Sequence, residues 1–120
     1  MVATVRIDTA ARPPLDEAIA EEKRVSGTPS TGFSAAHDDA AAGFWSGVWA
    51  SDAGAWRVAY DEVELCVILE GRVRLISDDG SSETYAAGDA FVVPRGFSGV
   101  WETLEPCRKI YAIVAGPTTV

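Results

Sequence analysis

The chain has 120 residues, 48% of them apolar, and a formal net charge of −8. That length and composition suit one domain with its own core. The negative charge argues against nucleic acid and against anionic lipid as partners, because both require a cationic face.

In chain order, residues 1–42 read as an N-terminal extension and 43–120 as the main domain. The opening stretch, MVATVRIDTAARPP, has no apolar core of signal-peptide length and is interrupted by Arg6, Asp8 and Arg12. No apolar run reaches the ~20 residues of a membrane span. Cys66 and Cys107 are the two cysteines, which fits reduced thiols in the cytoplasm better than a secreted disulfide framework. PPLDEAIAEEKR predicts a short helix: Pro13 and Pro14 at the entrance, Asp16 and Glu17 in the first turn, Lys23 and Arg24 in the last. Its apolar stripe, Leu15, Ala18 and Ile19, is thin. SGTPSTG reads as loop, and SAAHDDAAAG as either a helical turn or an extended linker.

From Gly43 onward the texture becomes short strands with turn punctuation. FWSGVWA, AWRVAY and the long run VELCVILEGRVRLI precede SDDGSS, a hairpin signal centred on Asp79-Gly80. AFVVPRG, FSGVWETL and CRKIYAIVA follow. This spacing predicts an all-β sandwich or small barrel. In YDEVELCVILEG, Val63, Leu65, Val67 and Leu69 fall on one face of a strand. Tyr60, Glu62, Glu64 and Cys66 fall on the other. The two carboxylates then point the same way, about 7 Å apart. The pattern alone favours burying the apolar face and leaving the acids in water.

Two stretches resemble the cupin superfamily. ELCVILEG fits the end of the first cupin motif at Glu64 and Gly71. GDAFVVPRG fits the start of the second at Gly88, Pro94 and Gly96. From about Trp49 to Val114 the chain is similar to small single-domain cupins of the DUF861 type, related to ureidoglycine aminohydrolase and the ethanolamine-utilisation cupins. The resemblance implies an all-β, RmlC-like jelly-roll barrel carrying an N-terminal extension. It turns Glu64 into the barrel and leaves the Val63–Leu69 face outside, to be covered by residues 1–42 or by a second subunit of a homodimer.

Metal-binding cupins place two histidines before the glutamate and a third after the Pro-x-Gly turn. Here those positions hold Val58 and Tyr60, or Arg57 and Ala59, and then Gly99. The one histidine, His37, matches no motif position. No cofactor is therefore expected, and a divalent metal would need an acidic set such as Glu64, Glu62 and Tyr60.

An inward carboxylate needs a cation, hydrogen bonds or a proton. The resemblance places Lys109 on a strand lining the barrel, making it the candidate partner, with Tyr111 on its face and Trp101 nearby. Glu64, Glu62 and Lys109 are the candidate catalytic groups. Tyr60, Cys66, Trp101 and Tyr111 are the candidate ligand contacts. Trp45, Trp49 and Trp56 read as packing residues, any of which could cap the barrel mouth. Three functions stay open: a metal-free enzyme on a small polar metabolite with Glu64 or Glu62 as acid and base, a non-catalytic small-ligand module, and an atypical metal-dependent aminohydrolase.

Overall fold

The computed structural model describes residues 1–116. These form β1 (Glu17–Ala18), a 3-10 turn (Glu21–Lys23), β2 (Arg24–Ser26), β3 (Ser30–Asp39), β4 (Phe44–Ser51), β5 (Gly54–Ala59), β6 (Val63–Ser77), β7 (Ser82–Ala86), β8 (Ala90–Val93) and β9 (Ser98–Val114). The last four residues of the predicted 43–120 unit lie outside the described residues. Among those described, no helix is long and apolar enough to cross a membrane.

The strands belong to one curled sheet built around β9. One edge of β9 pairs with β5 through residues 98–103 and with β4 through 107–114. The other edge pairs with β6 along nearly its whole length, and β6 also carries β7 and β8. Curling turns one face of these strands inward, where Trp56, Cys66, Ile68, Val73, Leu75, Phe91, Val93, Trp101 and Cys107 form the core.

The helix predicted over 13–24 is replaced by strand. Glu17 and Ala18 pair with Thr31 and Ser30 of β3, and one 3-10 turn follows. A helix this short with so thin an apolar stripe is marginal by itself, and pairing to the sheet competes it out. The ambiguous segment after Gly32 is sheet as well: β3 runs along β4 from Thr31↔Ser51 to Asp39↔Phe44. The extension thus contributes strands to the same sheet as the main domain. Its residues 6–15 cross the outer face of β3 and β4, beside Val48 and Ala50. Arg108 holds them there by donating to the carbonyls of Thr9 and Ala11, and Arg12 pairs with Glu70 at 2.7 Å.

The turn chemistry follows the sequence. Gly80 takes φ +92° in the β6–β7 hairpin, where the Asp79 carboxylate accepts from the Ser81 amide and hydroxyl. The Asp89 carboxylate accepts from the Ala86 amide at 2.9 Å, three residues back, while the Asp89 amide donates to the Ala86 carbonyl and closes the turn.

β6 holds the feature that sets the inner surface. Glu64, Cys66 and Ile68 are buried in its first half, Val73 and Leu75 in its second. The inward face thus moves from even to odd positions. Register shifts between Ile68 and Val73 produce the change, with Gly71 at φ +88° against the Pro106 carbonyl.

Candidate functional site

Residues directly opposite each other in an antiparallel pair share a face. Across β4, β9 and β6 three rows form on the inner face: Trp45–Ile113–Glu64, Gly47–Tyr111–Cys66 and Trp49–Lys109–Ile68. Gly47 carries no side chain because the Tyr111 hydroxyl and the Ser34 carbonyl take the space one would need. From the third row the Lys109 side chain reaches back across the other two. Its ammonium donates to Glu64 Oε2 at 2.9 Å and to Cys66 Sγ at 3.3 Å. It also lies 4.2 Å from the ring centre of Trp101 and 4.6 Å from that of Trp49. Glu64 is 7% exposed and Lys109 3%.

Around this pair lies a cavity of about 440 Å³, lined by all four tryptophans of the chain together with Tyr60, Tyr111, Phe33, Asp38, Val58 and Ile113. Trp49 meets Trp101 edge-on with ring centres 5.3 Å apart, and Trp56 stacks beyond at 6.5 Å from Trp101. A second hollow of about 630 Å³ shares Trp56, Val58 and Tyr60 but opens between the N-terminal strands and β5. Its charged residues, Glu17, Lys23 and Arg57, are all exposed. Of these two hollows, the first has a buried charged pair at its floor.

Burial pushes the Cys66 thiol up to about 11 against the pull of Lys109, so it is a neutral acceptor at physiological pH. Burial likewise holds the phenols of Tyr60 and Tyr111 above their ordinary value. Burial works to lower the Lys109 ammonium, but its neighbours Cys66, Glu64 and Tyr60, with the Glu64 carboxylate hydrogen-bonded to it, together outweigh burial. The net direction is up, and Lys109 is charged.

The site collects Glu64, Lys109, Tyr60, Trp101 and Tyr111 from the sequence-predicted set, whereas Cys66 is fully buried behind Lys109 and does not line the cavity. Glu62 sits half-buried before β6 begins and does not line the cavity. Tyr60 follows β5 and clamps the Pro94–Gly96 turn through its backbone, accepting from the Gly96 amide and donating to the Phe97 carbonyl. Three cavity residues went unnoticed in the sequence, Phe33, Asp38 and Ile113. A bulge in β3 between Ala35 and His37 puts Asp38 opposite inward-facing Trp45, and His37 opposite outward-facing Ser46. The bulge is what carries the histidine off the cavity face.

A transition metal does not fit this donor set. Its two best donors, the Glu64 carboxylate and the Cys66 sulfur, are already bonded to an ammonium. Among the described residues, no three His, Cys, Asp or Glu side chains gather elsewhere to replace them.

Comparison with known proteins agrees with the fold. A family model described as the EutQ-like cupin domain matches residues 39–111. A Pseudomonas syringae pv. tomato protein of unknown function in the DUF861 family aligns at TM-score 0.81 and 28% identity over 90% of this chain. The alignment spans 46% of that longer protein. A DUF861 family protein of Thermotoga maritima is 36% identical, with TM-score 0.52, over 53% of this chain and 73% of its own. A putative ethanolamine utilization protein Q of Salmonella typhimurium shares the fold at TM-score 0.65 and 19% identity, over 73% and 72% of the two chains. Among curated proteins none matches. The fold and family that the two sequence motifs implied are therefore the ones found, and the chain belongs to the EutQ-like cupin domain family.

Proposed function

We propose that this cupin binds a small metabolite inside its barrel, without a tightly held metal, on the Glu64–Lys109 pair. One observation carries the reading: four tryptophans and a buried ion pair line a single cavity of ligand size. An ion pair of this kind is expensive to bury and earns little stability over an apolar packing. Its retention beneath an open cavity supports a role in contacting a ligand. Lys109 fixes the carboxylate, and the neutral phenols of Tyr60 and Tyr111 supply donors. The same pair is an acid–base couple set among aromatic rings at the floor of the cavity, which supports proton transfer on a bound metabolite with Glu64 as the acting group.

The proposal extends to the assembly and its location. Leu65, Val92 and Val114 leave an apolar strip on the outer face of β6, β8 and β9, which supports a homodimer. Two buried, unpaired thiols suit the cytoplasm.

A fragment library titrated against tryptophan fluorescence tests the reading, because every tryptophan lines the cavity. At least one small polar fragment is expected to bind, and to weaken about tenfold or more in Glu64→Gln or Tyr111→Phe. A library without ligands, or ligands indifferent to both changes, refutes the cavity as the functional site.

A further inference from the structure

The cavity has a mouth whose chemistry differs from its floor. Three of its lining residues carry formal charge: Asp38, Glu64 and Lys109. Glu64 and Lys109 cancel each other at 2.9 Å. Asp38 has no ion-pair partner among the described residues, so the walls are left with one net negative charge inside a chain of −8. Asp38 sits opposite Trp45, and Trp45 lies opposite Ile113, two residues from Tyr111. Trp49, Trp56 and Trp101 pack on one another, whereas Trp45 has no aromatic partner among the described residues. Its ring is free for a ligand.

We propose that this mouth is a site for a small organic cation, an alkyl- or arylammonium ion, held by Asp38 with Trp45 and Tyr111 as aromatic walls. The proposal rests on the cavity being the binding site and names the charge class of what enters it. The barrel already solvates one ammonium in this manner, since Lys109 rests on the faces of Trp49 and Trp101. A cation at the mouth repeats that arrangement with Asp38 in the place of Glu64. An anionic ligand fares worse. Among the described residues Lys109 is the only cationic group on the walls, and its ammonium is committed to Glu64, Cys66 and the two indole faces. A carboxylate reaching it would meet the Glu64 carboxylate beside it. The bulge in β3 adds an independent argument: it re-aims the strand so that an acid, and not the neighbouring His37, faces the mouth.

Three probes of one shape and different charge separate the cases: choline, its neutral isostere 3,3-dimethylbutan-1-ol, and 3,3-dimethylbutanoate. Titrated against tryptophan fluorescence at low salt, choline is expected to bind about tenfold more tightly than the alcohol, and the carboxylate most weakly. Asp38→Asn, at an exposed position, is expected to cut choline affinity about tenfold and leave the alcohol unchanged. Trp45→Ala is expected to weaken choline similarly. Equal affinity for all three probes, preference for the carboxylate, no response to choline, or indifference of choline to Asp38→Asn overturns the proposal. In those cases the cavity reading still stands if library fragments bind and depend on Glu64. It falls separately if none does.

Discussion

At the scale of single residues, the Glu64–Lys109 pair is a liability that the fold tolerates. Removing one partner leaves a buried charge uncompensated, at a cost of about 3–5 kcal/mol. Glu64→Gln and Lys109→Met should therefore each lower the urea midpoint sharply, and the double variant should regain most of the loss. Two single losses that simply add in the double variant would show that the two side chains do not depend on each other. The neighbouring thiols give a pH signature. Burial raises both Cys66 and Cys107 to about 11, whereas an unfolded thiol titrates near 8.5. A group raised in the folded state stabilises fully below its unfolded value and loses that contribution as pH climbs through its folded one. Lys109, also raised, acts in the same direction at still higher pH. Stability should thus be flat from neutrality to about pH 8.5 and then fall by roughly 1–3 kcal/mol per thiol toward pH 11. Replacing Cys66 with Ala should flatten the decline, measured by urea unfolding across that range. An unchanged pH profile in that variant would assign the loss to other groups.

At the scale of elements, what was legible depended on whether the signal was local. Asp79-Gly80, Gly88-Asp89 and Pro94-x-Gly96 specify their turns through their own backbone preferences, and the turns stand where the sequence put them. Strand alternation showed that Glu64 and Cys66 share a face, but not that the face changes parity at Gly71. That change depends on the register against β9, adjacent in space but over thirty residues away in sequence. The bulge in β3 was hidden for the same reason, and with it the exchange of Asp38 for His37 at the cavity. The helix predicted over 13–24 failed in the opposite sense, a local preference overruled by pairing with β3. Gly71 is where the long-range requirement can be tested. At φ +88° a side chain is strained, and its Cβ would run into the carbonyl of Pro106. Gly80 has a similar φ of +92° but open space around it. Gly71→Ala should cost about 2 kcal/mol or more, and Gly80→Ala about 1 kcal/mol, as read from denaturant midpoints. Equal costs would mean that the bulge at Gly71 relaxes freely and does not fix the inner face of β6.

At the scale of the whole molecule, the extension covers one outer face and leaves another bare. Its residues 6–15 lie beside Val48 and Ala50, which are buried. Leu65 stays 43% exposed and Val92, directly across from it on β8, 55%. On the other side of β6, Leu65 faces Ala112 and Val63 faces Val114, so the strip is continuous over three strands. A flat apolar sheet face of this kind is what two copies bury when they pack face to face. Its middle holds no charged side chain to oppose a twofold partner. The proposed homodimer should therefore sediment at twice 12.7 kDa. Introducing one Lys at Leu65 and one at Val92 should convert it to monomer, because each dimer would then bring four ammonium groups into an apolar contact. Both positions point away from the cavity, so ligand binding by the monomeric variant should survive if the barrel is a complete site within one chain. A wild-type mass of one chain at micromolar concentration would refute the dimer. Loss of ligand binding together with the dimer, in a variant whose fold is intact by circular dichroism, would mean that the site is completed across the interface.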